Sequence, residues 1–235
     1  MKFSIITINY NNLSGLKKTV ESVLSQKKRE LIEYIIVDGA STDGSVEFLK
    51  TLPDDIIWKS EKDNGISDAF NKGVRQSKGD AVLMLNSGDT FINDSVMVLI
   101  AHDWSKYNVD ILSYRVIVSP NVYIPATNNE KEIFESCTMP HQGTMVARRC
   151  YDKIGLYSED YKIRMDYHFF ARCKNNNCSF KYLPKDVVLY EAGGTSMALG
   201  NRPRFWKEGI SVKFLYNIKI SAKDFVKFLF YGNKK

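Results

Sequence analysis

The sequence predicts an α/β fold: a doubly wound, mostly parallel sheet flanked by helices, with a smaller mixed portion and a helical C-terminal tail. Three observations predict it. Short β-branched apolar runs alternate with segments of helical apolar spacing through the first 100 residues. Each apolar run ends in a polar or acidic cluster, as strands do where an open sheet binds ligands. Finally, the 235 residues are 44% hydrophobic, enough for a substantial core.

The first half of the chain contains four predicted strands, and a predicted helix follows each of them. The helices are recognised by apolar residues on one face, such as Leu16, Val20 and Val23 in the first helix, and the fourth helix is expected within residues 94–101. Alternation at this spacing favours parallel βαβ units with right-handed crossovers. The strands are expected at Phe3 to Ile8, Tyr34 to Val37, Ile56 to Trp58 and Ala81 to Leu85.

The second half has a different pattern, typical of a smaller mixed or antiparallel portion. A helix is expected over Tyr167 to Cys173. Strands are expected at Ile111 to Val118, Val122 to Ile124, Thr144 to Val146 and Val187 to Tyr190.

The positive charge of the chain is concentrated at its C-terminus. The net charge is +6, but residues 202–235 alone carry +7, so residues 1–201 carry −1. This distribution argues against nucleic-acid binding, which needs cations spread over the folded surface. We expect residues 1–201 to form the catalytic domain, with halves at 1–100 and 101–201, and residues 202–235 to form a basic amphipathic extension.

Two interpretations of that extension remain open. Ile210, Phe214, Ile218, Phe225 and Leu229 recur at roughly helical spacing among lysines, a pattern suited to an anionic membrane surface. The same pattern fits a helix packed on the domain with a solvated lysine face.

Four cysteines without a CxxC pair predict neither a zinc site nor a disulfide framework, and reduced thiols in a cytoplasmic protein are the simpler interpretation. The chain starts directly with a strand-like segment, so no secretion signal is expected. No stretch reaches the ~20 apolar residues of a membrane-spanning helix.

Acidic residues follow three predicted strands. Asp89 comes after the fourth strand, and one such carboxylate is sufficient for Mg²⁺ or Mn²⁺ on a diphosphate, since phosphate oxygens and waters supply the other ligands. Asp38 and Asp43 follow the second strand and suit hydrogen bonds to a base or ribose. Asp is also an ordinary turn residue, and spacing alone leaves that alternative open.

Two further acids lie at predicted helix starts. Asp68 and Asn71 share one helix face near an N-terminus, which favours phosphate, although Asp68 also suits a purely local role in the first turn. Asp166, beside Arg164 and aromatic residues, suits a general base, and it equally suits a helix N-cap.

Two glycine-containing loops are candidates for binding. His141 and Gln142 could line an acceptor site or form a strand-entry turn. Gly193 and Gly194 could hold a diphosphate through backbone N–H groups or form a simple bend.

Together these motifs strongly resemble the bacterial glycosyltransferase family 2 over residues 2 to about 200. The combination is far more specific than any single motif. It consists of Ser4-Ile5-Ile6-Thr7, Val37 to Gly44, Asp63 to Gly73, Gly79-Asp80, Leu85 to Asp89, His141-Gln142, Met165-Asp166-Tyr167 and Gly193 to Ser196.

The resemblance implies a GT-A fold, a nucleotide diphosphate sugar donor, a divalent metal and inversion at the anomeric carbon. It implies that Asp38 contacts the nucleobase, Asp89 binds the metal and Asp166 is the catalytic base. The chain departs from many relatives, which carry further acids at the positions of Asn86 and Gly88. The donor-binding set that we expect is Thr7, Asn9, Asp38, Asp43, Asp68, Asn71, Lys72, Asn86, Ser87 and Gly88.

We therefore expect an inverting transferase that moves a hexose or N-acetylhexosamine, most plausibly UDP-linked, to a glycan acceptor. The resemblance and the basic tail imply a lipid-linked acceptor at the inner face of the cytoplasmic membrane, in surface polysaccharide synthesis. One alternative is a sugar-1-phosphate nucleotidyltransferase, which the absence of a basic Gly-rich loop after the first strand disfavours. The other is a non-catalytic nucleotide-sugar or carbohydrate-binding module.

Overall fold

The computed structural model describes residues 1–191 and 199–231. Within them, nine strands form one mixed sheet in the order β3-β2-β1-β4-β8-β6-β9-β5, and β7 pairs with β6. The strands are β1 Phe3–Asn9, β2 Ile32–Asp38, β3 Ile57–Ser60, β4 Ala81–Met84, β5 Thr90–Phe91, β6 Ile111–Ser119, β7 Val122–Ile124, β8 Thr144–Ala147 and β9 Phe180–Leu189. The helices are α1 Leu13–Leu24, α2 Ser45–Leu49, α3 Ile66–Gln76, α4 Val96–Tyr107, α5 Glu130–Ser136, α6 Arg148–Ile154, α7 Met165–Asn175, α8 Arg202–Leu215 and α9 Ala222–Tyr231.

The strands β3, β2, β1 and β4 are parallel, as the alternating pattern predicts. Ile5 pairs with Tyr34 on one side and with Leu83 on the other, and all three side chains are fully buried. At the end of β1, Asn9 pairs with Asp38. The carboxyl ends of these strands therefore share one edge, where the polar clusters meet.

The second half continues the same sheet. Strand β8 runs antiparallel to β4, β6 runs antiparallel to β8, and β9 runs parallel to β6. The predicted smaller mixed portion is thus hydrogen-bonded to the parallel portion through β4, and the α/β architecture is confirmed.

Several elements differ from the sequence prediction. Strand β9 begins at Phe180 rather than near Val187, because Pro184 and charged neighbours interrupt its apolar pattern. Pairing between β6 and β9 shifts register after Tyr114. Helix α5 was not predicted, and Ile133 is its one buried residue, so it has no apolar stripe to detect.

The segment expected to be a separate extension packs, at its start, on the α/β domain. In α8, Gly209 and Val212 are buried, and Ile218 just beyond it is 5% exposed. The Tyr216 hydroxyl lies 3.1 Å from Nε2 of His168 on α7. Helix α8 packs on the domain, which is one of the two interpretations of residues 202–235. Residues on either side of position 201 therefore pack together.

All four cysteines are buried with free thiols, as expected. Among the described helices, none combines the length and apolar character needed to cross a bilayer.

Candidate active site

A cleft of about 1280 Å³ lies where the first and fourth strands end. Both halves of the chain line it, so the site is assembled from residues far apart in sequence. From the first half come Asn9, Tyr10, Asn12, Asp63, Asn86, Ser87 and Asp89; from the second half come Met139, His141, Gln142, Arg164, Asp166, Tyr167, Glu191, Arg202, Phe205 and Trp206, among others.

Asp89 lies in this cleft with one carboxylate oxygen unused. Its Oδ1 accepts a hydrogen bond of 3.0 Å from the backbone N–H of Glu191. Its Oδ2 is buried and has no hydrogen-bond partner within the part of the chain that the structure describes. Burial raises the pKa of Asp89 from 3.8 to about 6. A buried anion with a vacant oxygen is costly unless a cation binds it.

The loop that carries Asp89 is held by α1. Thr19 donates to the carbonyl of Asp89 at 2.8 Å and accepts from the N–H of Gly88 at 2.9 Å. Gly88 has a φ of +103°, a conformation that other residues rarely adopt. Thr19 was not singled out from the sequence, although a hydroxyl on the apolar face of the first helix was a usable signal.

The residues around Asp89 fit a hard divalent cation. No group of three or more His, Cys, Asp or Glu side chains suited to a metal occurs in residues 1–191 and 199–231. Mg²⁺ and Mn²⁺ sites on phosphates commonly need one or two protein oxygens. Oδ2 of Asp89 is one, and the buried Oδ1 of Asn86, also without a partner among the described residues, is a second.

Asp166 and His141 form a hydrogen-bonded pair on the cleft wall. Oδ2 of Asp166 lies 3.0 Å from Nδ1 of His141, and Oδ1 accepts from the N–H of Tyr167 at 2.7 Å. Burial alone would raise the pKa of Asp166, but the hydrogen bond and charge of His141, with the charge of Arg164, hold this pKa below its ordinary value. Asp166 is therefore ionised at neutral pH and can accept a proton.

His141 connects Asp166 to the end of β4. Its Nε2 lies 3.2 Å from Nδ2 of Asn86, and its ring packs edge-on against Phe70 at 5.5 Å. The structure thus brings Asn86, His141 and Asp166 into one chain of contacts, with Asp89 lining the same cleft. Gln142 and Ser87 also lie on the cleft wall.

Asp38 is beneath the cleft rather than on its wall. Its carboxylate is fully buried and accepts from Nδ2 of Asn9 at 2.8 Å, Oγ of Ser60 at 2.6 Å, and both the backbone N–H and the hydroxyl of Ser41. Burial opposes ionisation, but these hydrogen bonds lower the pKa of Asp38 below 3.8. Its observed role is to orient Asn9, which does line the cleft.

Thr7 and Asn71 also lie below the cleft surface. Thr7 is fully buried, 3.0 Å from the Tyr34 hydroxyl, and donates to the Leu85 carbonyl at 2.8 Å. Asn71 pairs through both polar atoms with the backbone of Tyr157, at 2.9 Å each. The polar atoms of both side chains hydrogen-bond within the protein, and their predicted role in donor binding stays a prediction.

Asp43, Asp68 and Lys72 have local partners and lie off the cleft wall. Asp43 accepts from the N–H and hydroxyl of Ser45 at the start of α2, the turn role that the sequence left open. Asp68 accepts from the N–H of Asn64 and pairs with Lys72 at 3.3 Å, a local role at the start of α3. Gly193 and Gly194 lie outside the described residues.

The family of the chain follows from comparison with known proteins. The family model described as glycosyl transferase family 2 matches residues 4–172, a range that includes both Asp89 and Asp166. The chain belongs to glycosyltransferase family 2. It is therefore a glycosyltransferase, as the motif set indicates.

Relatives of this family-2 chain carry the same general description. An uncharacterized glycosyltransferase of Mycobacterium tuberculosis is 34% identical over 176 residues, which cover 72% of this chain and 67% of that protein. A PGL/p-HBAD biosynthesis glycosyltransferase of the same species is 26% identical over 202 residues, covering 83% and 78%.

Solved structures show that the family-2 chain has a GT-A fold. S. aureus TarS in complex with UDP-GlcNAc matches with a TM-score of 0.75 at 18% identity, over 99% of this chain and 72% of that one. The mannosyltransferase PcManGT from Pyrobaculum calidifontis, in complex with GDP-Man and Mn²⁺, matches with a TM-score of 0.71 at 16% identity, over 98% and 68%.

Several cleft residues were not expected from the sequence. Tyr10 is 68% exposed just after β1, and its only sequence signal was its place in a turn. Phe205 and Trp206 line the cleft, although their basic context had suggested the membrane-directed extension. Glu191 pairs with Lys18 at 2.9 Å across 173 positions, a contact that local patterns cannot predict.

Proposed function

We propose that this family-2 glycosyltransferase is an inverting, metal-dependent enzyme that transfers a hexose or N-acetylhexosamine from a nucleotide diphosphate sugar, UDP-linked, to a hydroxyl of a glycan acceptor. The observation that supports this most is that two of the carboxylates lining the cleft, those of Asp89 and Asp166, are in opposite states. Asp89 has a raised pKa and an oxygen, Oδ2, without a hydrogen-bond partner among the described residues, whereas Asp166 has a lowered pKa and a histidine partner. These surroundings favour a cation beside Asp89 and an ionised carboxylate, able to accept a proton, at Asp166.

The donor side is assigned to the ends of β1 and β4. Asn9, Asn86, Ser87 and Asp89 present amide, hydroxyl and carboxylate groups there. Asp89 and Asn86 would hold a divalent ion here, which would stabilise the charge of the departing diphosphate. TarS with UDP-GlcNAc and PcManGT with GDP-Man and Mn²⁺ support a nucleotide-sugar donor and a metal on this fold.

Asp166 is assigned as the general base. The acceptor hydroxyl gives its proton to a carboxylate oxygen of Asp166 while the hydroxyl oxygen forms a bond to the anomeric carbon. The bond from that carbon to the diphosphate breaks, and the nucleoside diphosphate leaves with the electron pair. One displacement from the opposite face inverts the anomeric configuration. His141 keeps the base ionised and oriented through its 3.0 Å contact.

The acceptor is proposed to be lipid-linked and to belong to bacterial surface polysaccharide synthesis, such as O-antigen, capsule or exopolysaccharide. A peripheral position on the inner face of the cytoplasmic membrane would place the cleft beside it. Six large apolar side chains near the C-terminus are 40–80% exposed: Phe214, Leu215, Ile220, Val226, Leu229 and Phe230. They lie in the segment of net charge +7, which suits an anionic bilayer.

Turnover tests the proposed function. A panel of nucleotide sugars is incubated with the protein, Mn²⁺ or Mg²⁺ and a lipid-linked acceptor extract, and nucleoside diphosphate release is measured. We expect metal-dependent release with one donor, and a product whose anomeric configuration is inverted by NMR. Donor binding without turnover against any acceptor would instead identify a binding module.

Liposome co-sedimentation tests the membrane proposal. The variant Phe214→Ser/Phe230→Ser should lose binding to anionic vesicles, while Val98→Ser, which removes an exposed apolar side chain on α4, should keep it. Equal sedimentation of both variants would contradict the proposed surface. So would binding that is equally strong to neutral and anionic vesicles and is insensitive to high salt.

A further inference from the structure

Glu208 of α8 joins the C-terminal helix to the segment just before α7. Its Oε1 accepts from the backbone N–H of Lys162 at 3.0 Å, and its Oε2 accepts from those of Ile163 and Arg164 at 2.9 Å each. The side chain is only 12% exposed. One carboxylate thus receives three backbone donors from a single stretch of chain.

These donors belong to the entry of the helix that carries Asp166. Glu208 binds the N–H of Arg164, the N-cap residue of α7, and those of the two residues before it, so it holds the approach to the helix rather than its first turn. The helix dipole is positive at this end, which stabilises an anion there. Arg164, the residue before α7, makes no side-chain capping hydrogen bond. The one backbone N–H that Asp166 is recorded to bind is the adjacent one of Tyr167, and its other oxygen bonds to His141, so Asp166 does not bind residues 162–164 in place of Glu208.

Helix α8 holds the same segment at a second point. The Arg164 guanidinium lies between the rings of Tyr167 and Phe205, 4.3 and 4.4 Å from their centroids. Phe205 lies one turn before Glu208 on α8. Residues 162–164, which end two positions before Asp166, are therefore fixed by backbone hydrogen bonds and, at Arg164, by stacking, while His141 contacts the Asp166 carboxylate itself.

We propose that Glu208 is a positioning residue for Asp166: by capping residues 162–164 from α8, it sets where the base lies in the cleft. The proposal rests on the proposed function, in which Asp166 takes the acceptor proton. It makes the C-terminal helix part of the catalytic apparatus. Nothing in the motif set indicated this, since Glu208 lies beyond both the quoted motifs and the matched family range.

The first test compares Glu208→Gln with Asp224→Asn. Glutamine has one acceptor oxygen and an NH₂ group that opposes a backbone N–H, so the negative charge and at least one of the three hydrogen bonds are lost at nearly constant volume. Asp224 is the other acid in helices α8 and α9; it hydrogen-bonds to Lys213 and Ser221 rather than to residues 162–164. Both variants are measured below their melting temperatures, with nucleoside diphosphate titration to count folded sites.

We expect Glu208→Gln to lower kcat about 10²-fold, the scale of an ångström-level misplacement, while nucleoside diphosphate affinity changes less than threefold. Asp224→Asn should keep wild-type kcat. The acid limb of the pH profile should move upwards in Glu208→Gln alone, because Asp166 loses its fixed relation to His141 and Arg164. Wild-type kcat in Glu208→Gln, or parallel losses of kcat and binding, would overturn the proposal.

The second test uses Asp166→Asn as the background. If Glu208 acts through Asp166, adding Glu208→Gln to Asp166→Asn should lower the residual rate less than twofold, since effects within one unit are not additive. A full further 10²-fold loss would overturn positioning. If Asp166→Asn itself keeps wild-type turnover, the assignment of the base fails, and that result is distinct from failure of Glu208 alone.

Discussion

At the scale of single residues, burial of Asp89, the proposed metal ligand, lowers the stability of the metal-free protein. The pKa of Asp89 is about 6 in the native state and near 3.8 in the unfolded chain. Between these two pH values the native carboxyl holds a proton that the unfolded one has lost. The free energy of unfolding of the metal-free protein therefore falls as the pH rises from about 3.8 to about 6. A shift of this size corresponds to about 1–3 kcal/mol at neutral pH.

We therefore predict that Asp89→Asn stabilises the metal-free protein at pH 7.5 and abolishes stabilisation by Mn²⁺. The amide carries no charge to bury, and the substitution removes the one negatively charged oxygen ligand that the protein offers the cation beside the neutral Asn86 amide. Thermal unfolding of both proteins, with and without Mn²⁺ and UDP, measures this. A variant that melts below the metal-free wild type, or that still gains stability from Mn²⁺, would contradict the assignment.

The same pKa predicts competition between protons and metal. Below pH 6, Asp89 must lose a proton to bind a cation, so apparent Mn²⁺ affinity in the presence of UDP should fall about tenfold per pH unit. Calorimetric titration near pH 5.5 in two buffers of different ionisation enthalpy should register proton release. Identical heats in both buffers would place the metal elsewhere.

For Asp166, the expected loss is confined to the rate. Asp166→Asn keeps the shape but cannot accept a proton, so transfer should fall about 10²–10⁴-fold. Donor affinity should hardly change, because the donor is assigned to the ends of β1 and β4. Parallel measurement of kcat and of UDP-sugar affinity separates the two effects, and loss of affinity together with rate would move Asp166 to the donor site.

At the scale of elements, the contact between α7 and α8 contains a buried histidine. His168 stacks on Tyr161 with centroids 4.2 Å apart and lies 3.1 Å from the Tyr216 hydroxyl. Burial, with a smaller effect of Arg172, lowers the pKa of His168 from 6.5 to about 4. Its neutral form is therefore favoured in the folded protein.

Acidification should weaken this contact. Because the unfolded chain takes up the proton first, stability is full above pH 6.5 and is lost as the pH falls towards 4. Between pH 7 and pH 5 the loss due to His168 should be about 2 kcal/mol. Urea unfolding of the wild type and His168→Gln at both pH values isolates this contribution. An equal pH dependence in both proteins would exclude His168 as its source.

Elements with a one-sided apolar pattern could be predicted from the sequence, and elements held by distant contacts could not. The parallel strands and α1 are examples of the first kind. Strand β9 and helix α5 are examples of the second, since their apolar residues follow no simple period. The motifs predicted that Asp89 and Asp166 lie in one site. They did not indicate that the side chain of Asn71 hydrogen-bonds to the backbone of Tyr157, which lies 86 positions away.

At the scale of the whole molecule, the two C-terminal helices differ in how they contact the rest of the chain. Helix α8 contributes Glu208 and Phe205 to the site, whereas α9 touches the protein mainly through α8, for example through Lys213 and Asp224 at 2.8 Å. The two helices should therefore respond differently to removal.

A chain ending at Ile220 should retain turnover on a soluble acceptor and lose most binding to anionic vesicles. A chain ending at Asn201 should lose turnover as well, because the cap of α7 and the buried Val212 are gone. Expression, UDP titration and vesicle co-sedimentation of both chains check this. Full turnover in the shorter chain would show that α8 is dispensable.

The pairing of β5 with β9 constrains the order of events during protein synthesis. Thr90 pairs with Leu189, so the strand directly after Asp89 finds its neighbour only once about 100 further residues have been translated. Glu208 is translated later still, and the most recently added residues of a nascent chain lie inside the ribosomal tunnel. The parallel strands can assemble co-translationally as a domain half. The transferase site is completed last, so a partly synthesised chain would not consume sugar donor.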